Sequence, residues 1–384
     1  MDTNLLLTPG PTIILDAARE ALGRPIIHHR TPQFQENIKE CVEGLRYVFQ
    51  TKNEVYMLTC SGTGAMEAAV CNLLSPGDKA ITVEGGKFGE RWTELCHAFK
   101  ANPLVIEVEW GQAVEPSKIK KLLEDNPDVK AVFVTLNETS TGVVSDIKAI
   151  GEVVKKTNAV LVVDAISGLG VVDCQMDNWN VDVLVSASHK GFMLPPGLAY
   201  VAVSNKAYKL VEISTNCRYY FDLRESKKAF AGTDTPYTPA IGIVIGLVES
   251  LKWIRAKGIE NLFNHFAKLA EGTRAAAKAL GLKLLADDSC ISNVLTAIYL
   301  PDNIDAGKLV KKMRDTYGVT CAAGQGKLNV KIIRIAHMGC VEEKDIIKGL
   351  EIFEKVLAEM GYQFKPNAGV NAAKEVFNYR EVDV

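Results

Sequence analysis

Between residues 50 and 205 two hydrophobic periods alternate along the chain. Short apolar runs, EVYMLT (54–59), KAITVE (79–84), KAVFVTL (130–136), AVLVVD (159–164), DVLVSAS (182–188) and AYVAVS (199–204), are rich in Val, Ile, Leu and Ala. Continuous runs of this length suit strands buried on both faces of a mainly parallel sheet. Between them AMEAAVCNLL (65–74), PSKIKKLLEDN (116–126) and IKAIGEVVKKT (147–157) repeat apolar residues at helical spacing. Strand and helix in alternation predict a doubly wound α/β domain. Ligands in such sheets bind outside the carboxyl ends of the strands, so chemistry is sought just after each run.

Beyond residue 240 the pattern changes. Helical periodicity covers about 240–256 and 260–280. SNVLTAIYL (292–300) and VKIIRIAH (330–337) then read as strands, with helices at 305–317 and 342–360. This is a smaller α+β unit. The expected division is an N-terminal segment 1–15, a large domain 16–256, a small C-terminal domain 257–364 and a tail 365–384. No internal repeat or low-complexity linker is visible, and the tail reads as an appendage.

Composition narrows the function classes. The 384 residues are 47% hydrophobic and 23% charged, the ordinary balance of a soluble globular protein. Lys plus Arg number 44 against 46 Asp plus Glu, so the net charge is −2. That leaves no basic surplus for nucleic acid and no polybasic membrane patch. The six histidines have no metal-binding spacing such as HExxH, and no metal is expected. Nine cysteines, an odd number without a CxxC pair, predict reduced thiols and a cytoplasmic setting. MDTNLLLTPGPT lacks the charged and apolar regions of a signal peptide. AIGIVIGLV (240–248) is too short to span a bilayer, and REVDV is no peroxisomal tripeptide.

Three strand ends carry candidate chemistry. SGTGAMEAA (61–69) follows one run and opens a helix, where small residues let backbone N–H groups approach an anion. It is neither a P-loop, since no Gly-Lys-Ser/Thr follows, nor a dinucleotide fingerprint, since Glu67 stands where the third glycine belongs. A single phosphate group fits it best. Asp164 ends the aliphatic run AVLVVD, where a carboxylate needs a partner. One strand later Lys190 follows DVLVSAS in SASHKGFMLPPG (186–197). Phosphate cradle, carboxylate and amine together match pyridoxal phosphate, which needs a helix N-terminus, an acid at its pyridine nitrogen and an amine at its aldehyde.

The chain resembles the class V aminotransferases of pyridoxal phosphate fold type I, nearest the alanine–glyoxylate and serine–pyruvate branch. The segments TPGPT (8–12), YVFQTKN (47–53), SGTGAMEAA, NLLSPGD (72–78), GGKFGERW (85–92), NETSTGV (137–143), VVDAISGLG (162–170), SASHKGFMLPPGLAYVAVS (186–204) and IIRIAHMG (332–339) carry it. The resemblance implies a large domain with a mainly parallel sheet and a smaller α+β domain. It implies that Lys190 is the Schiff-base lysine and base, and Asp164 the pyridinium partner. Thr63, Gly64 and Ala65 match the phosphate turn. Phe88 matches an aromatic stacked on the ring, Ile166 an aliphatic on its other face, and Thr139 a hydroxyl near its oxygen. Arg334 matches the clamp of the substrate carboxylate, and Pro9, Gly10 and Pro11 a turn lining the pocket. TPYTP (235–239) matches a segment reaching the phosphate of the neighbouring subunit through Thr235, Tyr237 or Thr238, which implies a homodimer with composite sites. His189 stands where the branch usually has Gln, and Ala65 replaces a His found in some members.

The implied reaction is transamination of alanine or serine with a small 2-oxo acid, glyoxylate or pyruvate. Arg30, in HHRTP beside His28 and His29, is the cation that would admit aspartate or glutamate. A cysteine desulfurase would need a nucleophile shortly before the carboxylate-binding arginine, where CAAGQGKLNVKIIR (321–334) offers only Cys321. A subunit of a redox complex is the remaining alternative, against which Lys190, Asp164 and Arg334 stand.

Overall fold

The computed structural model describes residues 5–379. Residues 1–4 and 380–384, which include the REVDV terminus, lie outside the described residues. The centre is a seven-stranded sheet. In chain order its strands are β1 (Glu54–Leu58), β2 (Lys79–Glu84), β3 (Asn102–Glu107), β4 (Ala131–Thr135), β5 (Val160–Asp164), β6 (Val183–Ala187) and β7 (Ala199–Val203). Across the sheet they run β1-β7-β6-β5-β4-β2-β3. β7 runs antiparallel to the other six strands.

Each apolar run read from the sequence in this region forms a strand. Strands β4, β5, β6 and β7 are buried along their whole length because helices cover both faces. Val160 and Val162 point to one face, where Gly62–Leu73 and Trp92 pack. Leu161 and Val163 point to the other, with Pro32–Phe49 and Ile241–Lys257. β3 was not visible as a strand. Its NPLVIE is half exposed and lies at the sheet edge, so it has no double-faced apolar run.

The C-terminal unit holds a three-stranded antiparallel sheet of β8 (Leu295–Tyr299), β9 (Ala322–Ala323) and β10 (Ile332–Ala336), with β10 in the middle. The tail is not a loose appendage within its described part. Ala368–Phe377 is a helix packed on Ile259–Ala279. A Cβ on Gly272 would lie 2.3 Å from the Phe377 ring, so the helices meet where no side chain intervenes.

The N-terminal segment links the two units. Leu5–Leu6 pairs in parallel with Val319–Thr320. Leu7 then accepts from the Ala336 amide at 2.9 Å, and Thr12 donates its amide to His189 O at 3.2 Å. Six residues, Leu7 to Thr12, thus run from the small sheet to the turn that carries Lys190. No helix among the described residues is long and apolar enough to cross a membrane.

Candidate active site

β5 and β6 are parallel neighbours, with Asp164 opposite Val185. Asp164 and Lys190 therefore emerge side by side at the carboxyl edge of the sheet. Asp164 is the last residue of β5 and is 3% exposed. Among the described residues one hydrogen bond reaches its carboxylate, from the Ile166 amide at 2.8 Å. Burial pushes its pKa up to about 7, a rise only partly opposed by that bond and by the cations Arg91 and Lys190.

Lys190 is 8% exposed, and burial pushes its ammonium down to about 8, the charge of Asp164 opposing the shift. Its Nζ donates to Pro9 O. Gly10 has φ +111°, and a Cβ there would lie 2.4 Å from Nζ, so only glycine lets the segment cross the lysine this closely. Thr12 Oγ1 donates to Lys190 O at 3.0 Å and fixes the crossing. Beside Lys190, His189 is half-buried, and its Nδ1 is buried without a hydrogen-bond partner among the described residues. Burial, aided by the charge of Lys190, pushes His189 down to about 4, so the imidazole is neutral.

The helix Gly62–Leu73 begins at this edge, and no side chain caps its Ser61 end. A Cβ on Gly62 would meet Ile166 Cδ1 at 2.5 Å, which presses the helix start against the residues following Asp164. Gly64 is equally constrained, because a Cβ there would meet Cys60 Sγ at 2.6 Å. Thr63 is exposed and Ala65 buried. A helix start without a side-chain cap, a carboxylate with one donor, an orphaned imidazole nitrogen and a desolvated amine suit the phosphate, pyridine nitrogen and aldehyde of pyridoxal phosphate. The residues present fit that cofactor.

Arg334 approaches from the small sheet. It sits mid-strand in β10, 5% exposed, and donates only to carbonyl oxygens. Nε and Nη2 reach Ala323 O at 2.9 and 2.7 Å, and Nη1 reaches Thr139 O at 2.8 Å. Among the described residues it has no ion pair, and burial pushes its pKa down to about 10, with Glu138 opposing. The Thr139 hydroxyl lies 2.7 Å from Ser167 Oγ, which also accepts from Asn137 Nδ2 at 2.8 Å. Phe88 is half-buried, its amide bonded to Glu138 Oε2 at 3.0 Å.

The structure does not bring Tyr237 and Thr238 to Lys190 within one chain. Tyr237 donates to Tyr219 O at 3.2 Å and stacks on Tyr220 at 5.1 Å, while Thr238 is exposed. Tyr237 lines an open cavity of about 640 Å³ together with Arg30 and Arg218. Arg30 is paired with Asp234, and His28 stacks on His29 at 4.7 Å, so Arg30 already has its anion. Cys321 is buried, which pushes its thiol up to about 12, the opposite of a poised sulfur nucleophile.

Three side chains of the site escaped the sequence reading: Glu138, Ser167 and Arg91. Each stands in a quoted motif, NETSTGV, VVDAISGLG or GGKFGERW. The available signals were an acid just past an apolar strand for Glu138, and a position three residues from an assigned one for the other two.

The family described as aminotransferase class-V matches residues 17–342. A soluble hydrogenase 42 kDa subunit of Anabaena cylindrica is 40% identical over 98% of this chain and 99% of its own length. An L-aspartate–glyoxylate aminotransferase of Paracoccus denitrificans is 37% identical over 98% and 96%. A serine–glyoxylate aminotransferase of Hyphomicrobium methylovorum is 37% identical over 97% and 94%. Among solved structures, the ureidoglycine–glyoxylate aminotransferase of Bacillus subtilis superposes with a TM-score of 0.95 at 26% identity, covering 99% of both chains.

Proposed function

The chain belongs to the class V aminotransferases, and from that membership we propose that it moves the amino group of alanine or serine to glyoxylate or pyruvate. It is an aminotransferase and uses pyridoxal phosphate, the cofactor of that family. When bound, this cofactor carries the amino group between the two substrates and draws electrons from the substrate carbon that loses a proton. Everything else falls to the side chains.

Lys190 would hold the cofactor aldehyde and would take the proton from the substrate Cα, for which an amine with a pKa near 8 is suited. Asp164 keeps the pyridine nitrogen protonated by placing an anion beside it. The first turn of Gly62–Leu73, with Thr63, Gly64 and Ala65, receives the phosphate, and His189 offers Nδ1 to it. Phe88 and Ile166 would pack on the two ring faces, and Thr139 would lie near the ring oxygen. Gly10 leaves room for the substrate beside Lys190.

Substrate class rests on Arg334. It is a desolvated guanidinium without a carboxylate, whose planar fork suits one α-carboxylate. The cation named for a second carboxylate, Arg30, is paired with Asp234. Small monocarboxylic donors follow. The aspartate-using Paracoccus relative favours a second reading, aspartate as donor. The hydrogenase name of the Anabaena relative favours a subunit role in a redox complex. Donors alanine, serine, aspartate and glutamate, each with glyoxylate or pyruvate, are to be compared by loss of the cofactor's visible absorption. Alanine or serine should lead. Aspartate leading would replace the first reading with the second, and co-purification of a flavin or iron–sulfur protein would support the third.

Assembly and setting complete the proposal. Tyr237 lines an open cavity that Lys190 of its own chain does not line, and Thr238 is exposed beside it, which supports a homodimer in which they reach the partner's phosphate. A fully active monomer in sedimentation would refute it. The cysteines are all free thiols, which supports a cytoplasmic setting.

A further inference from the structure

Arg91 has no part in the reading above. It lies on the helix Lys87–Ala98, three residues after Phe88, so the two side chains share a face. Its guanidinium carbon stands 5.0 Å from the centroid of the Phe88 ring. Its Nη1 donates to Thr63 Oγ1 at 3.2 Å, which brings it to the first turn of Gly62–Leu73. The neighbouring acid Glu90 is taken by Lys87. Among the described residues Arg91 has no carboxylate partner.

This is unfavourable company for a cation. A helix N-terminus carries partial positive charge, and its unbonded amides point outward. A guanidinium held there by one neutral hydroxyl is repelled unless an anion lies between the two. Arg91 also lies near enough to Asp164 and Lys190 for its charge to act on both. Ala65 gives the turn a backbone amide but no side-chain donor. A five-donor planar group one helix away can supply both the donors and the charge.

We propose that Arg91 is the side-chain counter-ion of the cofactor phosphate, gripping it from the face of Phe88 while the helix start holds it from below. The inference rests on the pyridoxal phosphate reading. Arg91 is a cofactor-binding residue in this scheme and takes no part in the proton transfer.

The test compares two ligands that differ only in the anion. Enzyme stripped of cofactor is titrated with pyridoxal phosphate and, separately, with pyridoxal, following visible absorption in wild type, Arg91→Gln and Arg91→Lys. Arg91→Gln should weaken pyridoxal phosphate roughly ten- to a hundredfold, the span of one lost charge-assisted contact. Pyridoxal should bind wild type and Arg91→Gln alike. Arg91→Lys keeps the charge without the fork and should fall between the two proteins for pyridoxal phosphate. Inorganic phosphate should raise the melting temperature of stripped wild type more than that of stripped Arg91→Gln. Equal weakening of both ligands would make Arg91 a packing residue under Phe88 and overturn the proposal, as would unchanged affinity in both variants. A wild type that binds neither ligand would overturn the aminotransferase reading itself.

Discussion

Two carboxylates are buried at the same edge of the sheet and are treated in opposite ways. Glu138, just beyond β4, accepts from the amides of Phe88, Gly89 and Ser140 at 3.0, 2.9 and 3.0 Å and from Ser140 Oγ at 2.6 Å. Gly86 permits this closure, since a Cβ there would lie 2.5 Å from Glu138 Cδ. Asp164, at the end of β5, accepts from one amide. Burial raises the pKa of both, but four donors work against it at Glu138 and one at Asp164. A buried ion whose lone pairs are filled belongs to the framework. One whose lone pairs are left open belongs to a ligand that brings the missing charge. Two buried cations fall on the open side with it: Arg334 donates to carbonyl oxygens and, among the described residues, has no carboxylate, and Lys190 has one carbonyl.

Substitution on the open side should remove activity and leave the fold. Lys190→Ala deletes both the amine that holds the cofactor and the base, and turnover should fall by roughly 10⁴-fold or more. The stripped variant should melt no lower than stripped wild type, because a desolvated ammonium has been removed. Near-wild-type transamination would mean that the open side of the comparison is not the active side. Arg334→Lys should lower kcat/KM for alanine and serine by roughly a hundredfold, since an ammonium lacks the planar fork. Unchanged kinetics in that variant would show the substrate carboxylate bound elsewhere.

Substitution on the filled side should do the reverse. In Glu138→Gln the amide NH₂ must face either the Phe88 and Gly89 amides or Ser140. Donor then meets donor, at a cost of about 1–3 kcal/mol of unfolding free energy. Denaturant unfolding measures this. A variant as stable as wild type but inactive would move Glu138 from framework to chemistry.

Much of this was legible because the fold and the chemistry share one signal. An aliphatic strand that ends in Asp or precedes Lys is conspicuous against Val and Leu, so Asp164 and Lys190 could be named together with their strands. β3 lacked that signal, since an edge strand is half wet and NPLVIE opens on Asn-Pro. Pro32–Phe49 went unread although Thr31 caps it, accepting from the Phe34 amide, and proline opens its first turn. The helix Ala368–Phe377 buries Val370, Ala373 and Phe377, an interval of three then four that was equally readable. Glu138 and Arg91 are a different matter. Whether a buried acid has four donors, or a cation has no anion, depends on chain segments far apart in sequence: Gly86 to Gly89 against Ser140 in one case, Thr63 against Arg91 in the other.

A pH-dependent effect isolates Asp164 itself, in protein stripped of cofactor. Its pKa is about 7 in the fold against 3.8 for an unperturbed aspartate, so between those values the native state holds a proton that the unfolded chain has released. The stability it contributes is present below about pH 4 and is lost as pH rises through 7. His189 acts with the opposite sign. Lowered from 6.5 to about 4, it contributes stability above pH 6.5 that is lost as pH falls, so the two partly cancel in wild type. Lys190, lowered from 10.5 to about 8, regains stability only on the alkaline side, between 8 and 10.5. The difference between wild type and Asp164→Asn removes the terms the two proteins share. Stripped Asp164→Asn should gain on wild type by roughly 2–4 kcal/mol as the buffer is taken from pH 4 to pH 8, and should be the more stable protein at the upper end. Adding pyridoxal phosphate at pH 8 should erase that advantage, because its protonated nitrogen supplies the charge that Asp164 lacks. A difference that stays flat from pH 4 to 8 would mean that Asp164 is as well satisfied as Glu138, and the contrast between the two strand ends would fail.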